Sequence, residues 1–265
     1  MEAHLTRPVR IAVQLQPQHG DYAQIRAAAV NAEEMGVDIV FNWDHFFPLS
    51  GDPDGKHFEC WTMLASFAEV TERVEIGALV TANSYRNPDL VADMARTVDH
   101  MSNGRLILGI GAGWFERDYD EYGYEFGTPG SRLSALRESL PRIENRWKLL
   151  NPPPTREIPI LIGGGGERRT LRYAARHADI WHGFGQPDVI RRKNQVLDQW
   201  CAREGRDPSE IERSCGANPL KPETGDGYVE AGAGLITLSF DGRTAYDLGP
   251  LEDWVAWRDQ RNGAA

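Results

Sequence analysis

The sequence predicts a single-domain (β/α)8 barrel, the TIM-barrel fold, over residues 1–265. Short apolar strands alternate with amphipathic helices along the whole chain, which is typical of a parallel α/β protein. Eight such repeats in about 250 residues match the usual size of this barrel. A doubly wound sheet is the alternative, but it would need fewer strands or a second domain, and no linker-like segment marks a domain boundary.

The first half of the chain contains four predicted strands and three predicted helices. The strands are at 9–15, 37–43, 74–81 and 105–110, and the helices are at 21–35, 58–71 and 88–101. Gly36 suits the position after the first helix, where a positive φ is favoured. The third helix begins at Pro88, and Asn87 or Asp89 is suited to its N-terminus.

The second half continues the alternation. Strands are predicted at 158–162, 179–183, 211–216 and 235–240, and helices at 133–150, 167–177, 189–204 and 251–261. The helix at 133–150 stops at the prolines 152–154. No helix is predicted between the last two strands.

Four consecutive glycines, Gly163–Gly166, lie between the fifth strand and the helix that follows it. Bare backbone N–H groups at a helix N-terminus can approach an anion, and the helix dipole favours negative charge there. Arg168 and Arg169 fall in the first turn, where a cation is favourable only beside an anion. The segment predicts a phosphate site; an ordinary βα turn with solvated arginines is the alternative.

Composition limits the partners and the compartment. A net charge of −10 and a pI near 5.2 argue against nucleic acid or an anionic membrane as partner. No apolar run reaches transmembrane length, and the first residues lack a signal-peptide core. The distant cysteines Cys60, Cys201 and Cys215 favour a reducing compartment, so we expect a cytoplasmic protein. No His or Cys pair has metal-ligand spacing, and no metal is expected.

In such a barrel, chemistry lies at the C-terminal ends of the strands. The residues expected there are Gln14, Gln16, Asp44, His45, Thr81, Asn83, Gly111–Trp114, Gly163–Gly166, His182, Gly183 and Gly185. The set has no nucleophile elbow, acid pair or metal cluster. It is suited to holding a large, flat, phosphorylated cofactor against bare backbone, with the cofactor supplying the chemistry.

Three segments resemble the bacterial luciferase-like monooxygenase superfamily, and more closely its actinobacterial branch of F420-dependent oxidoreductases. They are DHFFP at 44–48, SYRNPDLVADMARTVDHMSNGRLILGIGAGWFERDYDEYG at 84–123, and IPILIGGGGERRTLRYAARHADIWHGFG at 158–185. The resemblance implies the luciferase-like type of (β/α)8 barrel, with the deazaflavin coenzyme F420 across its mouth. FMN is the alternative cofactor.

The resemblance also implies roles for individual residues. It implies a non-prolyl cis peptide at Leu79–Val80, behind the cofactor ring, and matches His45 to the family histidine that faces the ring. The cofactor-binding residues that it implies are Asp44, His45, Leu79, Val80, Thr81, Gly111, Ala112, Gly113, Gly163, Gly164, Gly165, Gly166 and Arg169.

The sequence departs from the sugar-phosphate dehydrogenases of that family at two positions. Those enzymes have an acid directly after the G-x-G-x-G run, where this chain has Trp114, and a Trp where it has Leu49. A glucose-6-phosphate dehydrogenase is therefore not expected. His45 is the predicted proton donor, and Glu116, the first acid after Trp114, is the reserve candidate.

Aromatic residues are expected around the mouth. The predicted substrate pocket comprises Gln14, Trp43, Phe47 and Trp114. Its apolar character favours a small-molecule substrate that is fairly apolar, larger or more planar than a sugar phosphate. Core packing or a dimer interface would explain the aromatics equally well. The resemblance implies a homodimer that packs through the second and third helices.

Three functions remain open at this point. The leading interpretation is an oxidoreductase in which F420 carries hydride to or from an organic substrate. The first alternative is an FMN-dependent monooxygenase that uses reduced flavin and dioxygen. The second is a non-catalytic F420- or flavin-binding protein, which the missing family acid favours.

Overall fold

The computed structural model describes residues 7–263, and its strands form one closed parallel barrel. The strands are β1 Arg10–Leu15, β2 Ile39–Asn42, β3 Glu75–Ala78, β4 Thr81–Ala82, β5 Leu106–Gly111, β6 Ile160–Gly163, β7 Ile180–Gly183, β8 Glu212–Ala217 and β9 Leu235–Phe240. Neighbouring strands pair in the order β3-β2-β1-β9-β8-β7-β6-β5-β4, and the further pairing of β3 with β5 closes the barrel. Both β3 and β4 pair with β5, so they form one barrel strand interrupted at residues 79–80. The predicted (β/α)8 barrel is confirmed.

The helices cover the outside of the barrel. They are α1 Tyr22–Glu34, α2 Cys60–Val70, α3 Pro88–Met101, α4 Glu116–Tyr122, α5 Pro129–Trp147, α6 Thr170–His177, α7 Pro187–Glu204, α8 Gly225–Glu230 and α9 Leu251–Gly263. The helix α3 has the predicted bounds, and the Asn87 side chain accepts a hydrogen bond from the backbone N–H of Asp89. Helices α4 and α8 were not predicted.

Helices α5 and α6 begin three or more residues away from their predicted starts. Helix α5 begins four residues before the predicted Leu133, because the Thr128 hydroxyl accepts from the Ser131 N–H while the Ser131 hydroxyl accepts from the Thr128 N–H. Helix α6 begins at Thr170 instead of residue 167, since residues 167–169 form an irregular turn. Arg168 and Arg169 therefore precede the helix.

Three layers of side chains fill the barrel interior. At the N-terminal end, Arg10 forms ion pairs of 2.6 and 2.5 Å with Glu75 and Glu212. The apolar layer above it contains Ala12, Ile39, Phe41, Ile107, Leu161, Ile180 and Leu235. The polar layer at the C-terminal end includes Gln14, His182, Ser214 and Ser239. The interior is thus closed below and polar at the end where chemistry was expected.

A larger core lies between the barrel and its helices, and it includes the buried side chains of Phe67, Trp181 and Trp254. Trp181 also donates its indole N–H to the carbonyl of Gly164 at 2.9 Å, which joins this core to the glycine-rich turn. Among the described helices, none has both the length and the apolar character needed to cross a bilayer.

Candidate active site

The peptide bond between Leu79 and Val80 is cis, as predicted. Gln14 donates its side-chain N–H to the Leu79 carbonyl at 2.8 Å. The Val80 side chain packs closely against two glycines. A Cβ atom at Gly111 would lie 2.8 Å from one Val80 methyl carbon, and a Cβ atom at Gly163 would lie 2.9 Å from the other. These glycines therefore make room for the interrupted strand. The sequence interpretation assigned them to cofactor binding and did not include this packing role.

A cavity of about 650 Å³ opens at the C-terminal end of the barrel. The predicted site residues that line it are Gln14, Trp43, Asp44, His45, Leu79, Val80, Gly111, Ala112, Gly113, Trp114, Gly163 and Gly164. The cavity also contacts side chains that were not predicted as site residues, including Tyr85, Arg132, Leu133 and Phe184. Its volume is in the range of small-molecule sites.

Other predicted site residues lie away from this cavity. Phe47 packs under the guanidinium of Arg117, 4.0 Å from its ring centroid. Glu116 is exposed in the first turn of α4, so the geometry gives its predicted catalytic role no support. Thr81 is fully buried, and its hydroxyl has no partner among the described residues.

His45 is held by a carboxylate that sequence reasoning missed. Asp118, which is fully buried, lies 2.7 Å from the His45 Nδ1 and accepts from the Tyr85 hydroxyl at 2.8 Å and the Phe46 N–H at 3.0 Å. An ionised carboxylate can only accept, so Nδ1 of a neutral His45 carries the proton and Nε2 is an acceptor. Burial raises the pKa of Tyr85, and the charge of Asp118 raises it further.

Trp43 packs edge-on against His45, with ring centroids 5.5 Å apart. Its indole N–H donates to Nε2 of His57 at 3.0 Å, which requires that nitrogen to be unprotonated. Burial lowers the pKa of His57 to about 4, in agreement with this contact. The Trp43 ring is thereby fixed beside His45.

The carboxylate of Asp44 is hydrogen-bonded to protein groups. It accepts from both terminal nitrogens of Arg86, at 2.6 and 3.0 Å, and from the Ala82 N–H at 2.9 Å. Burial alone would lower the pKa of Arg86, but Asp44 and Glu59 raise it above its usual range. Asp44 thus fixes β4 directly after the cis peptide.

The glycine-rich turn is tied to its surroundings. The Gly164 N–H donates to the His182 carbonyl at 3.0 Å, and Lys193 donates to the Gly165 carbonyl at 2.8 Å. Gly165 and Gly166 are not among the cavity-lining residues, whereas Gly164 is. Arg169 donates to the Gly130 carbonyl and the Ser134 hydroxyl, both at 2.9 Å, so it fastens the turn to α5.

The family model for luciferase-like monooxygenases matches residues 1–224, most of the chain. This protein belongs to the luciferase-like monooxygenase family. The predicted resemblance is confirmed, and the cis peptide lies between the residues that it implied.

Among the relatives of this luciferase-like protein is an F420-dependent glucose-6-phosphate dehydrogenase of Amycolatopsis mediterranei. It is 33% identical over 170 residues, which are 57% of this chain and only half, 50%, of that enzyme. An uncharacterized protein of Mycobacterium tuberculosis is 26% identical over 262 residues, covering 87% of this chain and 92% of the relative.

Solved structures share the fold. An F420-dependent secondary alcohol dehydrogenase in complex with an F420–acetone adduct has a TM-score of 0.85 at 16% identity, covering 95% of this chain and 99% of the other. The F420-dependent tetrahydromethanopterin reductase of Methanopyrus kandleri has a TM-score of 0.74 at 16% identity, covering 93% and 98%. At these identities the likeness establishes the barrel alone.

The cavity rim of this luciferase-like protein is aromatic. Trp114 and Phe184 are 63% and 68% exposed, although both line the cavity. Phe184 contacts His182 edge-on, with centroids 4.8 Å apart. Burial lowers the pKa of His182 to about 4, so this ring is neutral at pH 7, and its Nδ1 lies 2.9 Å from the Ser214 hydroxyl. The rim is thus apolar and uncharged on this side.

Proposed function

We propose that this protein is an oxidoreductase that uses coenzyme F420 for hydride transfer to or from a small, fairly apolar organic substrate. Two curated relatives named F420-dependent glucose-6-phosphate dehydrogenase support the cofactor, at 33% identity over 170 residues and 28% over 211 residues. The structural observation that carries the proposal is the position of His45, which lines the cavity while its Nδ1 lies 2.7 Å from the buried Asp118 carboxylate.

The residues of the cavity fit a flat ring with an anionic tail. Val80 forms part of one wall, and Gly113 and Gly164 offer backbone without side chains. When bound, F420 supplies hydride chemistry at ring carbon C5. The side chains that line the cavity would hold the ring and limit water there, and His45 would remain at the cavity surface.

We assign the proton accompanying hydride transfer to Nε2 of His45. Asp118 holds Nδ1–H, so Nε2 can take a proton from a substrate hydroxyl, and the imidazolium can return it in the reverse direction. Since Glu116 is exposed and outside the cavity, it is not assigned this role.

The proposed substrate class follows from the rim. Trp114 occupies the position of the acid in the sugar-phosphate enzymes, and Leu49 lines the cavity where they have a Trp. Together with Leu133 and Phe184, these side chains favour apolar contacts over hydrogen bonds to a sugar. An activated enone that accepts hydride at its carbonyl carbon, or the alcohol formed from it, matches these requirements.

The test begins with protein purified from a host that makes both F420 and FMN. Its visible spectrum and fluorescence identify the bound cofactor, and titrations give both affinities. Single-turnover oxidation of reduced F420 by an activated enone would support the proposal. Tight binding of FMN with dioxygen consumption would replace it with a monooxygenase. F420 binding without turnover of enones or alcohols would replace it with a carrier function.

A further inference from the structure

Gln18 is a fully buried glutamine shortly after β1, and its side chain joins three segments at the C-terminal end of the barrel. The side-chain oxygen accepts from the Leu49 N–H at 2.9 Å. The side-chain nitrogen donates to Asp241 Oδ2 at 3.0 Å and to the Ser50 hydroxyl at 3.1 Å. Leu49 and Ser50 belong to the loop between β2 and α2, and Asp241 directly follows β9. Gln18 therefore ties that loop to the ends of β1 and β9.

The partners of Gln18 require both halves of its amide. The N–H of Leu49 must face the amide oxygen, and the carboxylate of Asp241 must face the amide nitrogen. An ionised glutamate of the same length cannot donate to Asp241, and methionine offers neither group. The junction thus depends on the hydrogen bonds of this side chain and not only on its size.

Leu49 connects this junction to the cavity. The loop between β2 and α2 contributes both His45 and Leu49 to the cavity lining. The two residues are held by different contacts, because His45 is bound to Asp118 of α4 whereas Leu49 is bound to Gln18. A change at Gln18 can therefore displace Leu49 while the proton position on His45 stays the same.

The backbone around Gln18 is also held in an uncommon conformation. Three non-glycine residues at this junction have a positive φ, namely His19 at 63°, Ala245 at 51° and Tyr246 at 55°. His19 also uses its Nε2, which lies 2.6 Å from the Ser50 carbonyl. Such conformations persist only where surrounding contacts over-determine them, and they are concentrated near functional sites. The segment is therefore built to keep one arrangement.

We propose that Gln18 is a positioning residue that holds Leu49 in the cavity wall and thereby determines how well substrates with a bulky apolar group bind. This inference rests on the proposed function. Gln18 is not among the cavity-lining residues, so its effect on substrate passes through Leu49. A leucine held in place offers a preformed apolar surface, whereas a released one must be ordered each time that substrate binds.

The experiment compares wild type with Gln18→Met in the reduction of F420 by methyl vinyl carbinol and by cyclohexyl vinyl carbinol. Methionine keeps the length of the side chain and removes both hydrogen-bonding groups. We expect the KM for the cyclohexyl substrate to rise about 3- to 10-fold. The KM for the methyl substrate and both kcat values should stay within about twofold of wild type, because Asp118 still holds His45.

Ser50→Ala is the matched control. It removes the exposed hydroxyl that accepts from Gln18 and leaves the Leu49 contact in place. Its kinetic constants for both carbinols should equal those of wild type.

A paired substitution gives the same comparison should Gln18→Met fail to fold. Gln18→Glu brings a second carboxylate to hydrogen-bond distance from Asp241, and adding Asp241→Asn restores a donor and an acceptor in the reverse direction. We expect Gln18→Glu alone to raise the KM for the cyclohexyl substrate, and the double variant to return it to within about twofold of wild type.

Several results would overturn the assignment. An equal rise in KM for both carbinols, or a fall in both kcat values, would mean that Gln18 only supports the structure. Unchanged constants in Gln18→Met would show that Leu49 needs no such anchor. Binding of both carbinols to the purified protein, followed by tryptophan fluorescence, gives the same comparison without turnover. A wild type that shows the expected difference in binding but reduces no F420 would refute the proposed function and retain this role of Gln18.

Discussion

Replacing Asp118 by Asn tests whether this buried carboxylate sets the proton position on His45. The substitution keeps the side chain's size and removes its charge. One carboxylate oxygen contacts both His45 and Tyr85, and the other accepts from the Phe46 N–H. The amide can therefore be placed in two orientations, which have different consequences.

The orientation follows from the hydrogen bonds. If the amide nitrogen faced the Phe46 N–H, two donors would meet in a buried site, at a cost of about 1–3 kcal/mol. The nitrogen is therefore expected to face His45 and donate to Nδ1. That contact places the ring proton on Nε2, where a neutral His45 can no longer accept a proton from substrate. We expect oxidation of substrate to slow by about 10²–10⁴-fold.

The measurement is single-turnover reduction of F420 by an alcohol substrate, followed by absorbance in wild type and Asp118→Asn. Tyr85→Phe is the matched control, because it removes one hydrogen bond to the same carboxylate without changing its charge. It should retain most of the rate. A folded Asp118→Asn protein with wild-type rates would refute the argument, as would an equal loss in Tyr85→Phe.

Three further outcomes are expected. Burial lowers the pKa of His57 and His182 to about 4 in the folded protein. In the unfolded chain both pKa values lie near 6.5, so the contribution of each neutral ring to the free energy of unfolding is complete above about pH 6.5. That contribution falls by about 1.4 kcal/mol per pH unit between pH 6.5 and pH 4. Urea midpoints at pH 7 and pH 5 measure this loss, and equal midpoints would contradict it. Gly109→Ala should prevent folding or lower the melting temperature strongly, since its Cβ would overlap a backbone carbonyl of β3, whereas Gly216→Ala meets no atom within 4 Å and should melt like wild type. We propose a homodimer through the apolar groove between α2 and α3, where Leu90 is 52% exposed; light scattering should give a dimer mass for wild type and a monomer mass for Leu90→Glu, and a monomeric wild type would be contrary evidence.

The strands were predictable because each is a short apolar run with a turn on either side. Strand β9 has the predicted bounds, and the other barrel strands agree within a few residues. Helices α4 and α8 escaped prediction because one is mostly charged and the other contains two glycines, so neither shows an amphipathic period. Helix propensity and periodicity therefore say little about these connecting segments.

The cavity-lining residues at strand ends were predictable, whereas contacts between residues far apart in the sequence were not. Asp118 lies 73 residues after His45, and nothing in its own helix marks it as that residue's partner. Its neighbour Glu116, closer to the expected acid, was chosen instead. Arg169 was assigned to a ligand because its charge lies beside glycines, but its acceptors are on α5, 35 and 39 residues earlier.

The layered barrel interior separates the two ends of the molecule. Arg10 and its glutamates close one end, and seven apolar side chains lie between them and the cavity. Rim residues such as Leu49, Trp114 and Phe184 do not contact the ion pairs of Arg10. In protein engineering, mutant libraries directed at the rim can thus be screened for altered substrate range. Substitutions at the charged end can be used separately to adjust thermal stability, and we expect the two sets of substitutions to act independently.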